Sequence, residues 1–264
     1  MRSFLSPACS AVADEIARTR TLLAFDFDGT LAPIVFDRTE ARMRPETRAL
    51  LRAAALLYPC VVISGRTRAD VDARVAGVPL VAVVGNHGAE AGFGPLDRAL
   101  LERVASWRAD LERSLRGAEG IEIEDKRFGI ALHFRRARSW AVAERRARSA
   151  AAALDGAVVF GGHAVVNVVP DDAPTKGDAI RALCRRLGTR IAVYVGDDRT
   201  DEEAFRSEVV AISIRIGGAP DSSATYSLET QAEVDDLLRA LVAARARQDG
   251  LGGRWEGLVR AMVP

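Results

Sequence analysis

The first regular pattern in the chain is TLLAFDF at 21–27, an apolar run of strand length. PETRALLRAAALLY at 45–58 has helical spacing with proline in its first turn, and CVVIS at 60–64 is a second apolar strand. A polar turn, a helix at 67–76 and a third strand, LVAVVG at 80–85, complete this segment. Strands that are apolar throughout and separated by helices predict βαβ units and a parallel sheet covered on both faces.

The pattern changes after about residue 92. A helix over roughly 95–115 precedes IEIEDK at 121–126 and GIALHF at 129–134, both alternating apolar with polar. That alternation predicts strands with one solvated face, as in an antiparallel sheet. SWAVAERRARSAAAAL at 139–154 reads as a helix, and AVVF with AVVNVV, within 157–169, as a further strand pair. The expectation is a separate α+β module over 92–170, inserted into a core made of 1–91 and 171–264. The parallel pattern resumes with a helix at 176–187, strands IAVYVGDD at 191–198 and VVAISI at 209–214, and a last helix at about 233–247. The Gly-rich tail from Asp249, with Trp255, is expected to pack back on the body.

Composition narrows the classes. The chain has 264 residues, 48% of them hydrophobic and 28% charged, a globular balance. A net charge of +1 lacks the basic excess of a nucleic-acid footprint, so an anionic ligand must be met by local groups. Basic residues are nearly all arginine: Lys126 and Lys176 are the only lysines. A compact ammonium is not replaced by a planar guanidinium at a tight site, which singles out both. Cys9, Cys60 and Cys184 lie far apart without metal-type spacing, the pattern of reduced thiols and a cytoplasmic protein. No apolar run approaches the roughly 20 residues that span a bilayer, and Pro7, Asp14 and Glu15 interrupt any signal-peptide core.

Candidate chemistry sits at strand ends. Asp26-Phe27-Asp28-Gly29-Thr30 closes the first strand, and ligands of open α/β sheets lie beyond the carboxyl ends of the strands. Crowded carboxylates suit a hard cation such as Mg²⁺; one can attack phosphorus while the other moves protons. Asp-Gly also begins ordinary turns. Ser64-Gly65-Arg66 ends the second strand, where a hydroxyl can bond a phosphoryl oxygen or simply cap a turn. Lys176 opens the helix that returns to the core and can neutralise an anion there. Asp197 and Asp201, four apart in GDDRTD, suit one direct and one indirect magnesium ligand; acidic residues also favour helix starts.

The order DxDGT, Ser, Lys, GDDxxxD resembles the haloacid dehalogenase superfamily of phosphotransferases, and all four of its motifs are matched. The resemblance implies a Rossmann-like core with an inserted cap, Asp26 as nucleophile and Asp28 as general acid and base. It also implies Ser64 and Lys176 on the phosphoryl group, and Mg²⁺ held by Asp26, Asp28, Asp197 and Asp201. DFDGTLAPI, ISGR, GNHGAE, IEDK…ALHFR and GDDRTDEEAF are more specifically similar to trehalose-6-phosphate phosphatases, across most of the chain. In that family Glu-x-Lys pairs of the cap grip the sugar. Glu124 and Lys126 match the first pair; the second departs, with Asn167 and Val169 at the expected charged positions. Arg66 and His87 are expected to line the entrance. His133 and Arg135 read equally well as surface features. Sucrose 6-phosphate or a glycosyl phosphoglycerate remains an alternative substrate, and a sugar-phosphate sensor the non-enzymatic one.

Overall fold

The computed structural model describes residues 1–91, 98–162, 164–251 and 257, so Trp255 lies outside the described residues. Two compact units divide the chain, Met1–Gly92 with Thr175–Pro264, and Phe93–Pro174. In chain order the first unit begins with β1 (Arg2–Ser3), α1 (Ser10–Arg18), β2 (Thr21–Phe25), α2 (Pro45–Leu57), β3 (Cys60–Ile63), α3 (Arg68–Arg74) and β4 (Ala82–Val84). The second holds α4 (Arg98–Ser114), β5 (Glu122–Asp125), β6 (Ile130–His133), α5 (Trp140–Ala152), β7 (Ala157–Gly162) and β8 (Val165–Pro170). The first then resumes with α6 (Lys176–Leu187), β9 (Ile191–Gly196), α7 (Glu202–Phe205), β10 (Val210–Ile216), β11 (Tyr226–Leu228) and α8 (Val234–Gln248).

The first unit is built on a seven-stranded parallel sheet, ordered β1-β11-β10-β9-β2-β3-β4. Every residue of β2 and β3 is buried, as expected for strands covered on both faces. Helix α8 packs against α1 and α2. Thr47 donates to the buried carboxylate of Asp235 (2.6 Å), the Tyr58 hydroxyl donates to the Leu241 carbonyl (2.9 Å), and the Arg245 guanidinium lies 4.4 Å from the Tyr58 ring centroid. Helix α1, with Ala13, Ile16 and Ala17 buried, occupies the N-terminal stretch where no element was expected.

Strand β2 stops at Phe25, before the apolar run does. The Asp26 N–H still reaches the Val195 carbonyl at 2.9 Å, but the backbone then turns, closed by Ala32 N–H to Phe27 C=O and Gly29 N–H to Ala32 C=O, both 2.8 Å. Phe27 is apolar because it is buried under this turn.

The second unit is a four-stranded antiparallel sheet, β5-β6-β8-β7, with α4 and α5 packed on one face. Leu132, Ile130, Val166 and Val168 face the helices and are fully buried, opposite Leu100, Val104, Trp107 and Leu111 of α4 and an alanine stripe, Ala143, Ala147 and Ala151, of α5. Residues 171–174 group with this unit although the sequence pattern assigned them to the core. Arg103 of α4 pairs with Asp171 and Asp172 at 3.4 and 2.9 Å, tying the stretch after β8 to the module.

Candidate active site

Three neighbouring strands deliver the candidate residues to one edge of the parallel sheet. Phe25 of β2 lies beside Val195 of β9 and Val62 of β3, so the residues that follow each strand meet: Asp26, Asp197 and Ser64. Asp26 is 6% exposed, and Lys176, the first residue of α6, is 2% exposed. Lys176 Nζ donates to Asp26 Oδ1 at 2.8 Å and to Asp201 Oδ1 at 2.6 Å. The helix start is held by a capping box in which Thr175 and Asp178 bond reciprocally, and this fixes where the ammonium emerges.

Asp201 is fully committed. Its Oδ1 accepts from Lys176 and from the Tyr194 hydroxyl (2.6 Å), and its Oδ2 from the backbone N–H groups of Asp197 and Asp198, both 2.9 Å. It therefore fixes the ammonium and the loop that carries Asp197. Tyr194 was not singled out from the sequence; a lone phenol in the apolar strand IAVYVG was the available signal, since buried tyrosines find partners for their hydroxyls.

Asp197 has the opposite character. Its Oδ1 is buried without a hydrogen-bond partner. Burial, followed by the nearby Asp201 charge, pushes its carboxyl up to about 7. Burial likewise raises Asp26 well above the carboxylate range, against the opposing pull of Lys176. Burial alone would depress Lys176, yet Asp201 and Asp26 hold its ammonium well above the usual lysine value. Oxygens of Asp26, Asp197 and Asp201 all lie within 4.8 Å of one another. An all-oxygen set whose Asp26 and Asp197 carboxyls are held back from ionising by burial and neighbouring negative charge fits a hard divalent cation, and the partnerless Asp197 oxygen is the atom such an ion would satisfy. Gly29 is part of this arrangement: at φ +77° it occupies the left-handed region, and a Cβ there would lie 2.0 Å from Asp197 Oδ2.

Asp28 is not one of the three clustered carboxylates. Its carboxylate is gripped by both arms of the Arg66 fork, Nε to Oδ2 at 2.6 Å and a terminal nitrogen to Oδ1 at 2.7 Å. Ser64 is buried at the end of β3, its Oγ accepting from the Arg66 N–H at 3.2 Å. His87 sits in a left-handed turn docked on this segment: its N–H bonds the Ser64 carbonyl (2.9 Å), and the Asn86 N–H bonds the Arg66 carbonyl (2.7 Å). Among the residues expected at the entrance, Arg66 is thus engaged with Asp28, and the His87 ring lies against Gly65, where a Cβ would be 2.4 Å from its Cε1.

The sugar-facing candidates lie in the second unit. Glu124, Ala131, Asn167 and Phe160 form one cross-strand row on the face away from α4 and α5. Glu122, His133, Val165 and Gly162 form the next row, and Lys126 continues β5 with its N–H on the Gly129 carbonyl (3.0 Å). Glu124 meets His133 Nε2 at 2.8 Å, so His133 belongs to the same polar face rather than to an unrelated surface.

A parallel sheet with this cluster at its carboxyl edge, and an antiparallel module inserted between Ser64 and Lys176, is the architecture of a haloacid dehalogenase phosphatase. The C-terminal domain of the Candida albicans trehalose-6-phosphate phosphatase shares the fold with a TM-score of 0.68 at 20% identity, over 88% of this chain and 96% of that one. A subclass IIB sugar phosphatase of the superfamily does so with a TM-score of 0.58 at 16% identity, over 88% of this chain and 99% of that one. The trehalose-phosphatase family model matches residues 24–231, so the chain belongs to the trehalose-phosphatase family and is a phosphatase. Probable trehalose-phosphate phosphatase 9 of Oryza sativa subsp. japonica is 30% identical over 276 residues, 89% of this chain and 73% of its own. The trehalose-phosphate phosphatase of Mycobacterium marinum is 34% identical over 251 residues, 87% of this chain and 63% of its own.

Proposed function

We propose that this phosphatase hydrolyses trehalose 6-phosphate to trehalose and phosphate through an aspartyl phosphate on Asp26, with Mg²⁺ as cofactor. The observation that carries the chemistry is the buried Lys176 ammonium bonded to Asp26 beside an Asp197 oxygen with no partner. An Asp26 oxygen attacks phosphorus in line as the bond to the sugar oxygen breaks, and Asp28 gives that oxygen its proton. Asp28 then takes a proton from the water that attacks the aspartyl phosphate, releasing phosphate and regenerating Asp26. Lys176 offsets charge first on Asp26 and then on the transferring group, and Ser64 is assigned to donate to a phosphoryl oxygen. When bound, Mg²⁺ supplies positive charge against the phosphoryl oxygens. Asp26, Asp197 and the Asp28 carbonyl are assigned to hold it, with Asp201 acting through the groups it binds.

Family membership and the names of the relatives support trehalose 6-phosphate. The inserted module is assigned as the cap that chooses the sugar, with Glu124, Lys126 and Asn167 facing it. A neutral Asn167 favours a second reading, another phosphorylated sugar on the same chemistry. Three buried thiols without a disulfide support a reducing, cytoplasmic setting, and among the described residues no helix is long and apolar enough to cross a membrane. Phosphate release from trehalose 6-phosphate, sucrose 6-phosphate, glucose 6-phosphate and a glycosyl phosphoglycerate, with Mg²⁺ or EDTA, tests the proposal. Trehalose 6-phosphate is expected to dominate, turnover to stop in EDTA, and Asp26→Asn to be inert. Preference for another sugar overturns the substrate; turnover by Asp26→Asn overturns the mechanism; no turnover at all favours a sensor.

A further inference from the structure

Arg66 is 9% exposed, a depth at which an arginine needs partners for its whole fork. It has them. Besides its two bonds to Asp28, one terminal nitrogen donates to Asp70 Oδ2 and the other also to the Arg38 carbonyl, both at 2.7 Å. Asp70 is in turn held by Arg74, whose Nε donates to Oδ1 at 3.1 Å, and Arg74 also bonds the carbonyls of Thr39 and Ala41. A chain of alternating acidic and basic side chains, Asp28–Arg66–Asp70–Arg74, therefore ends on the segment 38–41 that follows the turn carrying Asp28. The guanidinium also lies 5.8 Å from the ring centroid of Phe27. Burial alone would raise the Asp70 carboxyl, but Arg66 and Arg74 hold it below its usual range, so Asp70 meets both guanidinium groups as a carboxylate.

A planar fork bonded at two points fixes a carboxylate in rotation as well as position, which a single point charge does not. The fork bonds both oxygens, yet the Asp28 side chain stays 38% exposed, so the carboxyl group is held without being sealed from solvent. We infer that Arg66 is a positioning residue for the proton transfers of Asp28, braced by Asp70, and not a ligand of the substrate. The inference rests on the role given to Asp28 above.

Proton donation matters most for a poor leaving group. A sugar alkoxide needs a proton as the phosphorus–oxygen bond breaks, whereas p-nitrophenolate leaves well without one. Because kcat/KM reports steps up to release of the leaving group, it isolates this transfer from hydrolysis of the aspartyl phosphate. Arg66→Met, Arg66→Lys, Asp70→Asn, Asp28→Asn and the Arg66→Met/Asp28→Asn double variant are compared on trehalose 6-phosphate and p-nitrophenyl phosphate, after melting curves establish that each is folded. Arg66→Met is expected to lower kcat/KM on the sugar phosphate by about 100-fold, within the usual weight of a positioned acid. The loss on p-nitrophenyl phosphate is expected to be at least tenfold smaller. Arg66→Lys, lacking the fork, is expected to recover only part of the loss. Asp70→Asn, which leaves Arg66 in place, is expected to show the same selectivity at about 3- to 10-fold. The double variant is expected to be little worse than Asp28→Asn, because both changes remove one function.

Equal losses on both substrates, additive losses in the double variant, or a raised KM for trehalose 6-phosphate at unchanged kcat would overturn the inference. If Arg66→Met does not fold, Arg66→Lys and Asp70→Asn decide by the same ratio. Should Asp28→Asn itself show no leaving-group selectivity, the assignment of Asp28 fails. Should it show selectivity while Arg66→Met and Asp70→Asn do not, only the role of Arg66 fails.

Discussion

Replacing Lys176 by methionine removes the one ammonium in the acidic cluster at nearly constant length. Asp26 at 6% and Asp201 at 0% exposure would be left without their cation, and Tyr194 and two backbone N–H groups are the partners Asp201 retains. Breaking a buried pair by deleting one member costs about 3–5 kcal/mol. For a chain of this size each kcal/mol lowers the melting temperature by roughly 2–4 °C, so a drop of about 10 °C is expected at pH 8 without metal. The deficit must depend on pH. Burial holds the Asp26 carboxyl above its unfolded value in the intact protein, and losing the ammonium raises it further. A carboxylate with a raised folded pKa adds most stability below its unfolded value of about 3.9 and loses it as pH rises through the folded value. The variant should therefore approach the parent towards pH 5 and diverge towards pH 8. Scanning fluorimetry of both proteins in EDTA across that range measures it. A deficit under about 1 kcal/mol at pH 8, or one that grows on acidification, would refute the view that Lys176 offsets the buried carboxylates.

Gly29→Ala places a Cβ against Asp197 in a backbone region that costs an L residue about 1–2 kcal/mol. Apparent Mg²⁺ affinity should fall by about tenfold or more in a metal titration of activity, and unchanged metal dependence would separate Gly29 from the cation site. Asp178→Ala removes half of the capping box under Lys176 and should cost about 1 kcal/mol in denaturant melts. Burial alone would raise Asp178, but the Thr175 N–H and hydroxyl and Arg181 hold it lower. Its contribution is therefore present above about pH 4 and should vanish as pH falls further, which melts at pH 3 and pH 7 compare. Asn167→Glu should change kcat/KM for trehalose 6-phosphate several-fold more than for p-nitrophenyl phosphate, and equal changes would mean that residue 167 does not touch the sugar.

The parallel strands were legible because burial on both faces leaves little but apolar residues between polar turns, as in CVVI and IAVYV. The inserted sheet was legible for the opposite reason: IEIEDK and GIALHF alternate apolar with polar residues, a one-sided pattern. Helix α1 escaped notice because its buried face is small, two alanines and an isoleucine, while Asp14 and Glu15 suggested interruption rather than a solvated side. Strands β1 and β11 are two and three residues long, below what periodicity can register. At the site, strand-end motifs located the carboxylates. They could not disclose that Arg66 takes both oxygens of a carboxylate 38 residues away, nor that Asp201 is saturated by Lys176, Tyr194 and two backbone groups. Pairings of that kind depend on the register of β2, β3 and β9, which no local pattern encodes.

The near-absence of lysine has a practical side. With only two lysines in the chain and Lys176 sealed at 2% exposure, the half-buried Lys126 is the more accessible lysine. It continues the strand that carries Glu124, on the polar face of the inserted sheet. An amine-reactive reagent should therefore choose Lys126 over Lys176, alongside the α-amine, in a protein whose three thiols are all buried. Because acylation takes the positive charge from a side chain assigned to the sugar, labelling there should slow turnover of the sugar phosphate, and bound sugar should protect that amine from the reagent.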